Sequence, residues 1–213
     1  MSSSTSTATR VTPPRAPDSP YPGSLVPVSE IPGDFLMRQR VTAHYPGRTL
    51  SFDAALQKQG DTLTLLGLTP FGTRAFLLQQ RGVEVSFTSY MPGDAPFPPR
   101  YMLLDIHRTF FIGLGRPPAG DGERRGTRDG EEITERWERG RLMERHFRRL
   151  DGQPEGTVDV RFVDGMQGHA PPRTIEFHNG WYGYALTITT LAHQTLAAPG
   201  HEASDAPPAP AAP

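Results

Sequence analysis

The sequence predicts a mainly β domain, in which an antiparallel sheet has one buried face and a single amphipathic helix closes one end. Two observations support this fold class. Apolar residues recur at every second position in short segments separated by turn residues, which is typical of strands with one buried face. One segment, residues 99–113, departs from that alternation and places its apolar residues at helical spacing instead.

The first predicted strands lie between residues 50 and 87. Apolar residues alternate with polar or small ones in segment 50–56, and Gln-Gly-Asp follows it as a turn. Segments 63–68 and 75–78 are denser in apolar residues, as expected where both faces of a strand are covered. Segment 83–87 alternates again after an Arg-Gly turn.

The helix is predicted to follow these strands and to stop at Gly113, because glycine commonly ends a helix. Its apolar stripe would consist of Met102, Leu103, Ile106, Phe110 and Leu114. Such a helix would close one end of the sheet. The spacing fits a helix that covers packed side chains and equally one that covers a space.

The second group of strands follows a Gly-rich and charged insertion at residues 117–130. A hairpin about Gly140 is expected first, with long charged side chains on its wetter face. Asn179-Gly180 favours a type I′ turn between the last two strands. The predicted strands of this group are residues 133–139, 141–150, 158–162, 175–177 and 184–188.

The turn between segments 63–68 and 75–78 carries a large apolar side chain, Phe71. Turn tips usually hold Asn, Asp, Gly or Ser, so an aromatic ring there needs either a neighbouring surface or an apolar medium. Pro70 fixes its own φ and Gly72 permits a positive φ, which predicts a rigid tip that holds the ring outward. The alternative is that Phe71 folds back onto its own hairpin.

Composition predicts one folded domain between two tails. The chain has 213 residues, a formal net charge of −1 and no cysteine, which excludes disulfides, thiolate metal sites and a cysteine nucleophile. We expect residues 1–33 to be a disordered Ser/Thr/Pro-rich linker, residues 34–194 the domain, and residues 195–213 a disordered Ala/Pro-rich tail. The N-terminus lacks the apolar segment of a signal peptide, so either the protein is cytoplasmic or its true start lies upstream.

Enzyme motifs and nucleic-acid signals are not found in the sequence. It contains no Gly-x-Ser-x-Gly elbow, no His-Glu-x-x-His pair and no phosphate-binding loop, so we expect no catalytic site, no metal and no cofactor. The charged residues from 123 to 149 have nearly balanced signs, whereas nucleic-acid binding needs a positive stripe. The sequence therefore favours a binding protein over an enzyme.

The order of these elements, together with two short motifs, resembles a known family. The motifs are the turn Leu68-Thr-Pro-Phe-Gly72 and the segment Ile106-His-Arg-Thr-Phe-Phe-Ile-Gly-Leu-Gly-Arg-Pro117. They resemble LolB, the outer-membrane lipoprotein that receives and inserts other lipoproteins, and its periplasmic carrier relative LolA. The resemblance is closer still to a LolB-like bacterial lipoprotein family of unknown function.

The resemblance implies a strongly curved antiparallel sheet, an incomplete β-barrel, with helical cover over its concave side. It further implies that the enclosed space takes up acyl chains of lipids or lipidated proteins. The protein would act at the periplasmic face of the outer membrane, on its inner leaflet. Pro70, Phe71 and Gly72 match the LolB loop that helps to push lipidated cargo into the bilayer, so they would form a membrane-insertion loop.

The leading hypothesis is therefore a non-enzymatic protein of lipid or lipoprotein localisation. An alternative is a structural or assembly lipoprotein that uses the same fold as a protein-interaction module. The residues of a closed β core would be the same as those lining a cavity, so alternation alone does not separate the two. The candidate cavity residues are Phe52, Leu56, Leu65, Phe76, Phe87, Met102, Ile106, Phe110, Val160, Ile175 and Leu186.

Overall fold

The computed structural model describes residues 21–91, 98–168 and 170–197. A short 3-10 helix, Val28–Glu30, precedes the first strand. The first half of the sheet comprises β1 (Asp34–Tyr45), β2 (Arg48–Gln59), β3 (Thr62–Leu68), β4 (Arg74–Arg81) and β5 (Glu84–Ser89). After the helix α1 (Pro99–Phe110), the second half comprises β6 (Gly122–Arg128), β7 (Glu131–Glu138), β8 (Arg141–Arg149), β9 (Thr157–Met166), β10 (Thr174–Asn179) and β11 (Tyr184–Leu196).

These strands form one antiparallel sheet in the order β5-β4-β3-β2-β1-β11-β10-β9-β8-β7-β6. Each half is a run of hairpins, and the first and last strands, β1 and β11, pair in the middle. The edge strands β5 and β6 are not paired with each other, so the sheet is open. The predicted fold class, mainly β with an open antiparallel sheet and a covering helix, is confirmed.

The sheet curls around α1, as two neighbouring helix residues show. The His107 ring lies 2.8 Å from Gln80 of β4, and the Arg108 guanidinium lies 2.7 Å from Glu131 of β7. Those strands stand eight positions apart in the sheet, which in a flat sheet would separate them by about 38 Å. Only a strongly curved sheet brings both of them to adjacent residues of one helix.

We call the face of the sheet that α1 covers the inner face. Cross-strand pairing identifies its members, because paired residues of antiparallel strands point to the same side. The most buried side chains of the strands lie there, Leu63, Leu78, Phe147, Phe162 and Ile175 among them. The outer face carries most of the charged side chains, which explains the alternation in the sequence.

Two strands lie outside the predicted set. β1 was not expected because Gln39 occupies an inner position and interrupts its apolar alternation; this glutamine is nevertheless buried. β6 falls within the predicted insertion, residues 117–130, and contains no apolar side chain. It is a strand because its backbone pairs with β7 along its full length.

The predicted N-terminal linker is wrong for residues 21–31. We call residues 21–31 the strap: this segment packs against the sheet, and its buried side chains are Tyr21, Leu25, Val26, Val28 and Ile31. The prolines and glycines between them gave the composition of a linker, whereas the apolar residues belong to the core. Residues 1–20 and 198–213, the rest of the predicted tails, lie outside the described residues, and β11 extends to Leu196.

The predicted type I′ turn at Asn179-Gly180 is also wrong. The connection has four residues and closes through a hydrogen bond from the Gly183 amide to the Asn179 carbonyl, 2.8 Å. Asn179 itself is the last residue of β10, with a fully buried side chain. Gly180 is required for a different reason, because a Cβ there would lie 2.8 Å from the Thr157 carbonyl oxygen.

Candidate functional site

The turn between β3 and β4 holds Phe71 in solvent. The Thr69 hydroxyl oxygen accepts hydrogen bonds from the amides of Phe71 and Thr73, each 3.3 Å, and the Gly72 amide donates to the Thr69 carbonyl at 2.9 Å. Gly72 has a φ of +78°, as the turn requires. The Phe71 residue is 93% exposed, so the ring does not fold back onto its hairpin.

An aromatic cluster lies on the inner face near this turn. It consists of Phe52 on β2, Phe76 on β4 and Phe87 on β5, which are all half-buried. The rings of Phe52 and Phe76 meet edge to face with centroids 6.0 Å apart, and Phe76 stacks on Phe87 at the same distance. We call these three residues the aromatic rim.

The rim depends on Gly67, which lies on β3 between the strands of Phe52 and Phe76. Gly67 pairs with Phe76, and a Cβ at this position would overlap the Phe76 ring. The missing side chain therefore lets the Phe76 ring cross over β3 and reach Phe52. Glycine here serves a close approach, not a turn, since its φ is not in the left-handed region.

We expect Gly67→Ala to displace the Phe76 ring and to lower the free energy of unfolding by about 1–3 kcal/mol, the usual effect of overpacking. Urea unfolding would measure the loss. Gly120→Ala is the matched control, because a Cβ at Gly120 meets no atom within 4 Å. If both variants unfold at the same urea concentration, the ring does not depend on Gly67.

The predicted cavity residues fall into two groups. Every one that lies on a strand is on the inner face, as their cross-strand pairs show. Five of the eleven are buried core residues, namely Leu56, Leu65, Phe110, Val160 and Ile175. The others are half-buried and pack against that core, namely Phe52, Phe76, Phe87, Met102, Ile106 and Leu186.

Helix α1 is buried on more sides than its apolar stripe predicted. It ends at Phe110 rather than Gly113, and its buried residues include Asp105, His107, Arg108 and Thr109. The strap covers the helix in addition to the sheet, so polar side chains are also removed from water. Each of them therefore needs a partner.

Asp105 joins the strap, the helix and β11. The hydroxyls of Tyr21 and Tyr184 both donate to its carboxylate, and the Asn179 side-chain amide donates to the two tyrosine oxygens at 2.7 and 3.1 Å. Burial raises the pKa of Asp105 to about 6, against the opposing effect of these hydrogen bonds and of Arg108. Burial also raises the pKa of both tyrosines well above 10.

His107 holds the strap to β4 as a neutral ring. Burial, followed by the charges of neighbouring arginines, lowers its pKa to about 3. Its Nδ1 accepts from the Val26 amide at 3.0 Å, so the proton is on Nε2 and is donated to Gln80 Oε1 at 2.8 Å. The Gln80 side-chain amide in turn donates to the Val26 carbonyl at 2.8 Å.

Two buried ion pairs join the helix region to the second half of the sheet. Arg108 pairs with Glu131 of β7 at 2.7 Å and also donates to the Pro22 carbonyl of the strap at 2.6 Å. Arg145 of β8 pairs with Glu135 at 2.9 Å and donates to the Arg108 carbonyl at 3.1 Å. Sequence reasoning missed these roles. The signal was the Asp-x-His-Arg-Thr run, which places adjacent polar residues in an otherwise apolar helix.

Residues 36–192 match the family described as "Protein of unknown function (DUF3261)". The chain belongs to this family. The match confirms the predicted membership of a family of unknown function. No curated protein matches this DUF3261 chain.

Among solved structures, the DUF3261 chain is similar to the LolA superfamily protein NE2245 from Nitrosomonas europaea, with 12% identity, a TM-score of 0.44, and coverage of 78% of this chain and 88% of that chain. It is also similar to a domain from Vibrio parahaemolyticus described as an outer membrane lipoprotein-sorting protein, with 10% identity, a TM-score of 0.40, and coverage of 76% and 85%. A DUF1329 family protein from Desulfovibrio piger is similar with a TM-score of 0.30 and 10% identity, and the match covers 76% of this chain and 85% of that chain. Likenesses this distant identify no ligand for the DUF3261 chain.

The outer face of the DUF3261 domain carries an open hollow of about 400 Å³. The charged groups that line it are paired with one another: His146 lies 2.6 Å from Asp159, and Arg161 lies 3.0 Å from Glu176.

No group of His, Cys, Asp and Glu within the described ranges is arranged to hold a metal ion. In the same ranges, no helix has both the length and the apolar sequence that spanning a bilayer requires. We place the candidate site at Phe71 and the aromatic rim, because the Phe71 ring is exposed and the three rings of the rim are apolar and only half-buried.

Proposed function

We propose that the protein is a non-enzymatic binding protein for acyl chains of lipids or lipidated proteins, acting in lipid or lipoprotein localisation. Its membrane partner would be the inner leaflet of the outer membrane, reached from the periplasmic side. The observation that carries the proposal is the Phe71 ring, 93% exposed on a turn that Thr69 braces with its hydroxyl. A rigid turn that exposes an apolar ring to water is explained if the ring enters an apolar medium, the hydrocarbon of the membrane.

Other exposed apolar side chains lie at the same end of the sheet. The Tyr90 amide donates to the Ala75 carbonyl at 2.9 Å, which places Tyr90 beside the start of β4, and Met91 follows it. Tyr90 and Met91 are 47% and 52% exposed. The strap begins at this end too: the ring of Tyr21, which is buried, lies 5.0 Å from that of Tyr182 in the β10–β11 turn. This end of the domain would face the membrane.

The energies suit a transient contact. Transfer of a phenylalanine side chain from water to hydrocarbon is worth about 1.5–3 kcal/mol, which biases an encounter without anchoring the protein. An acyl chain gains about 0.8 kcal/mol for each buried CH₂. The half-buried rings of Phe52, Phe76 and Phe87 would be its first contacts inside the domain, because they are apolar and still accessible.

We expect Phe71→Glu to weaken binding to vesicles of phosphatidylethanolamine and phosphatidylglycerol by tenfold or more, measured by co-sedimentation. The free energy of unfolding should change by less than about 0.5 kcal/mol, because the side chain has few contacts to lose. Val83→Glu is the matched control, since Val83 is 51% exposed in the β4–β5 turn at the opposite end of the sheet. Vesicle binding that survives in the Phe71 variant, or falls equally in both, would contradict the membrane contact.

Acyl binding is tested separately with a fluorescent fatty acid. The full chain should bind the probe in a saturable way, and unlabelled dodecanoate should displace the bound probe. A filled β protein of similar size provides the baseline, because a closed core takes up no probe. Uptake that does not exceed this baseline would overturn the acyl-binding part of the proposal while leaving the membrane contact open to its own test.

A further inference from the structure

The strap, residues 21–31, covers the inner face without being a strand of the sheet. Its hydrogen bonds are made with side chains of other elements: His107 and Gln80 bind the amide and the carbonyl of Val26, and Arg108 binds the carbonyl of Pro22. The Tyr21 hydroxyl donates to Asp105 and accepts from the Asn179 side-chain amide. One backbone bond, from the Val28 amide to the Gly82 carbonyl at 3.1 Å, joins it to the β4–β5 turn. A segment held in this way can leave without breaking any strand pairing.

The strap also fills the inner face with apolar material. Leu25, Val26, Val28 and Ile31 are each at most 5% exposed, although they belong to an irregular segment outside the sheet whose regular structure is the short 3-10 helix Val28–Glu30. They join the same hydrophobic cluster as the strand residues and the half-buried rim. Consecutive apolar groups that follow a curved apolar face present the same chemistry there as a bound acyl chain.

Arg108 adds a polar feature at the Pro22 end of the strap. The residue is fully buried, yet its Nη1 atom has no hydrogen-bond partner among the described residues. Its Nη2 atom donates to Glu131 and to the Pro22 carbonyl oxygen. Departure of the strap would also free the Nη2 donor that binds Pro22, so that both nitrogens would have an unsatisfied donor next to the apolar face that the strap had covered. Guanidinium donors of this kind prefer carboxylate or phosphate oxygens.

We infer that the strap is a tethered substitute for the ligand, and that it is displaced by an acyl chain ending in an anionic oxygen, carboxylate or phosphate. This inference rests on the proposed acyl-binding function. The tail would replace Leu25, Val26, Val28 and Ile31 on the inner face. The anionic head would replace the Pro22 carbonyl at Arg108. Competition with the strap would then set the apparent affinity, since only the fraction of molecules with an open face can bind.

The first test is amide hydrogen exchange of the wild-type chain with and without saturating dodecanoate. Exchange at the amides of Val26 and Val28 should become faster with the ligand, because both lose their acceptors when the strap leaves. Bound dodecanoate with unchanged or slower exchange at these two amides would overturn the inference and leave the proposed function intact. No binding of any acyl probe would overturn both.

The second test weakens the strap. Leu25→Ala should bind dodecanoate about tenfold more tightly than the wild type, because a less stable docked strap raises the open fraction. Leu142→Ala is the matched control: Leu142 is equally buried but lies on β8, so the variant should lose stability without gaining affinity. An equal change of affinity in the two variants would overturn the competition.

The third test examines the head group. The wild-type chain should bind dodecanoate or dodecyl phosphate about tenfold more tightly than dodecanol, and the better of the two anions identifies the head group. Arg108→Lys keeps the charge opposite Glu131 but loses the planar guanidinium, so it should reduce this preference. Equal binding of the acid and the alcohol by the wild type would overturn the role of Arg108.

Discussion

Glu135→Ala should lower the free energy of unfolding by about 3–5 kcal/mol, a large part of the stability of a domain of this size. The Glu135 carboxylate is 1% exposed and pairs with Arg145, and it also accepts from the Leu114 amide and the Trp137 indole. Its removal leaves the buried Arg145 charge uncompensated. Burial already lowers the pKa of Arg145, even though Glu135 opposes that shift. Urea unfolding followed by circular dichroism would measure the loss.

Glu132→Ala on the same strand is the matched control. Glu132 pairs with Arg148 at 3.2 Å, but their side chains are 30% and 56% exposed. A pair that is partly solvated contributes about 0–1 kcal/mol, so the control should remain close to the wild type. If both variants lost the same stability, the buried pairs would not be what holds α1 inside the curved sheet.

The free energy of unfolding of the wild type should fall as pH rises from about 4 to about 7. This fall should be about 3 kcal/mol larger in the wild type than in Asp105→Asn. The pKa of Asp105 is raised from 3.8 to about 6 in the folded protein, so the folded state binds a proton that the unfolded state has released. The associated stability is fully present below pH 4 and is lost as pH rises through 6. Two pKa units correspond to about 3 kcal/mol.

The comparison with Asp105→Asn separates this effect from the other carboxylates. Asp34, Asp53 and Asp151 have lowered pKa values because of hydrogen bonds from Lys58, Arg40 and Arg149, and they titrate in both proteins alike. Urea unfolding of both proteins at a series of pH values gives the difference directly. Stability curves that run parallel from pH 4 to pH 7 would show that Asp105 does not titrate in this range.

The sequence was sufficient to predict which face of the sheet is buried. Phe52, Leu65, Phe87, Val160 and Ile175 come from distant segments, yet all lie on the inner face. A strand has a period of two, so one buried residue determines the side of all the others. The exposure of Phe71 was predictable for a related reason, since Pro70 and Gly72 make a local turn that does not depend on the remainder of the fold.

Long-range partners were not predictable in the same way. The sequence does not indicate that Gln39, His107 and Arg108 are buried, because the partners of His107 and Arg108 lie far away in sequence or belong to the strap. The strap itself has the proline content of a linker, and its burial follows only from the curvature of the sheet. The spacing of apolar residues indicates the buried face of a strand or helix, because that spacing is periodic. In an irregular segment the buried residues have no regular spacing, so the sequence does not show which of them are buried.

The pairing of β1 with β11 has a consequence for biosynthesis. A ribosome delivers β1 among the first strands and β11 as the last, so throughout translation the β1 backbone has one side without its neighbour. Unpaired strand edges attract other chains. Release of a chain that stops before Tyr184 would therefore produce an aggregation-prone fragment, because β1 would keep an unpaired edge.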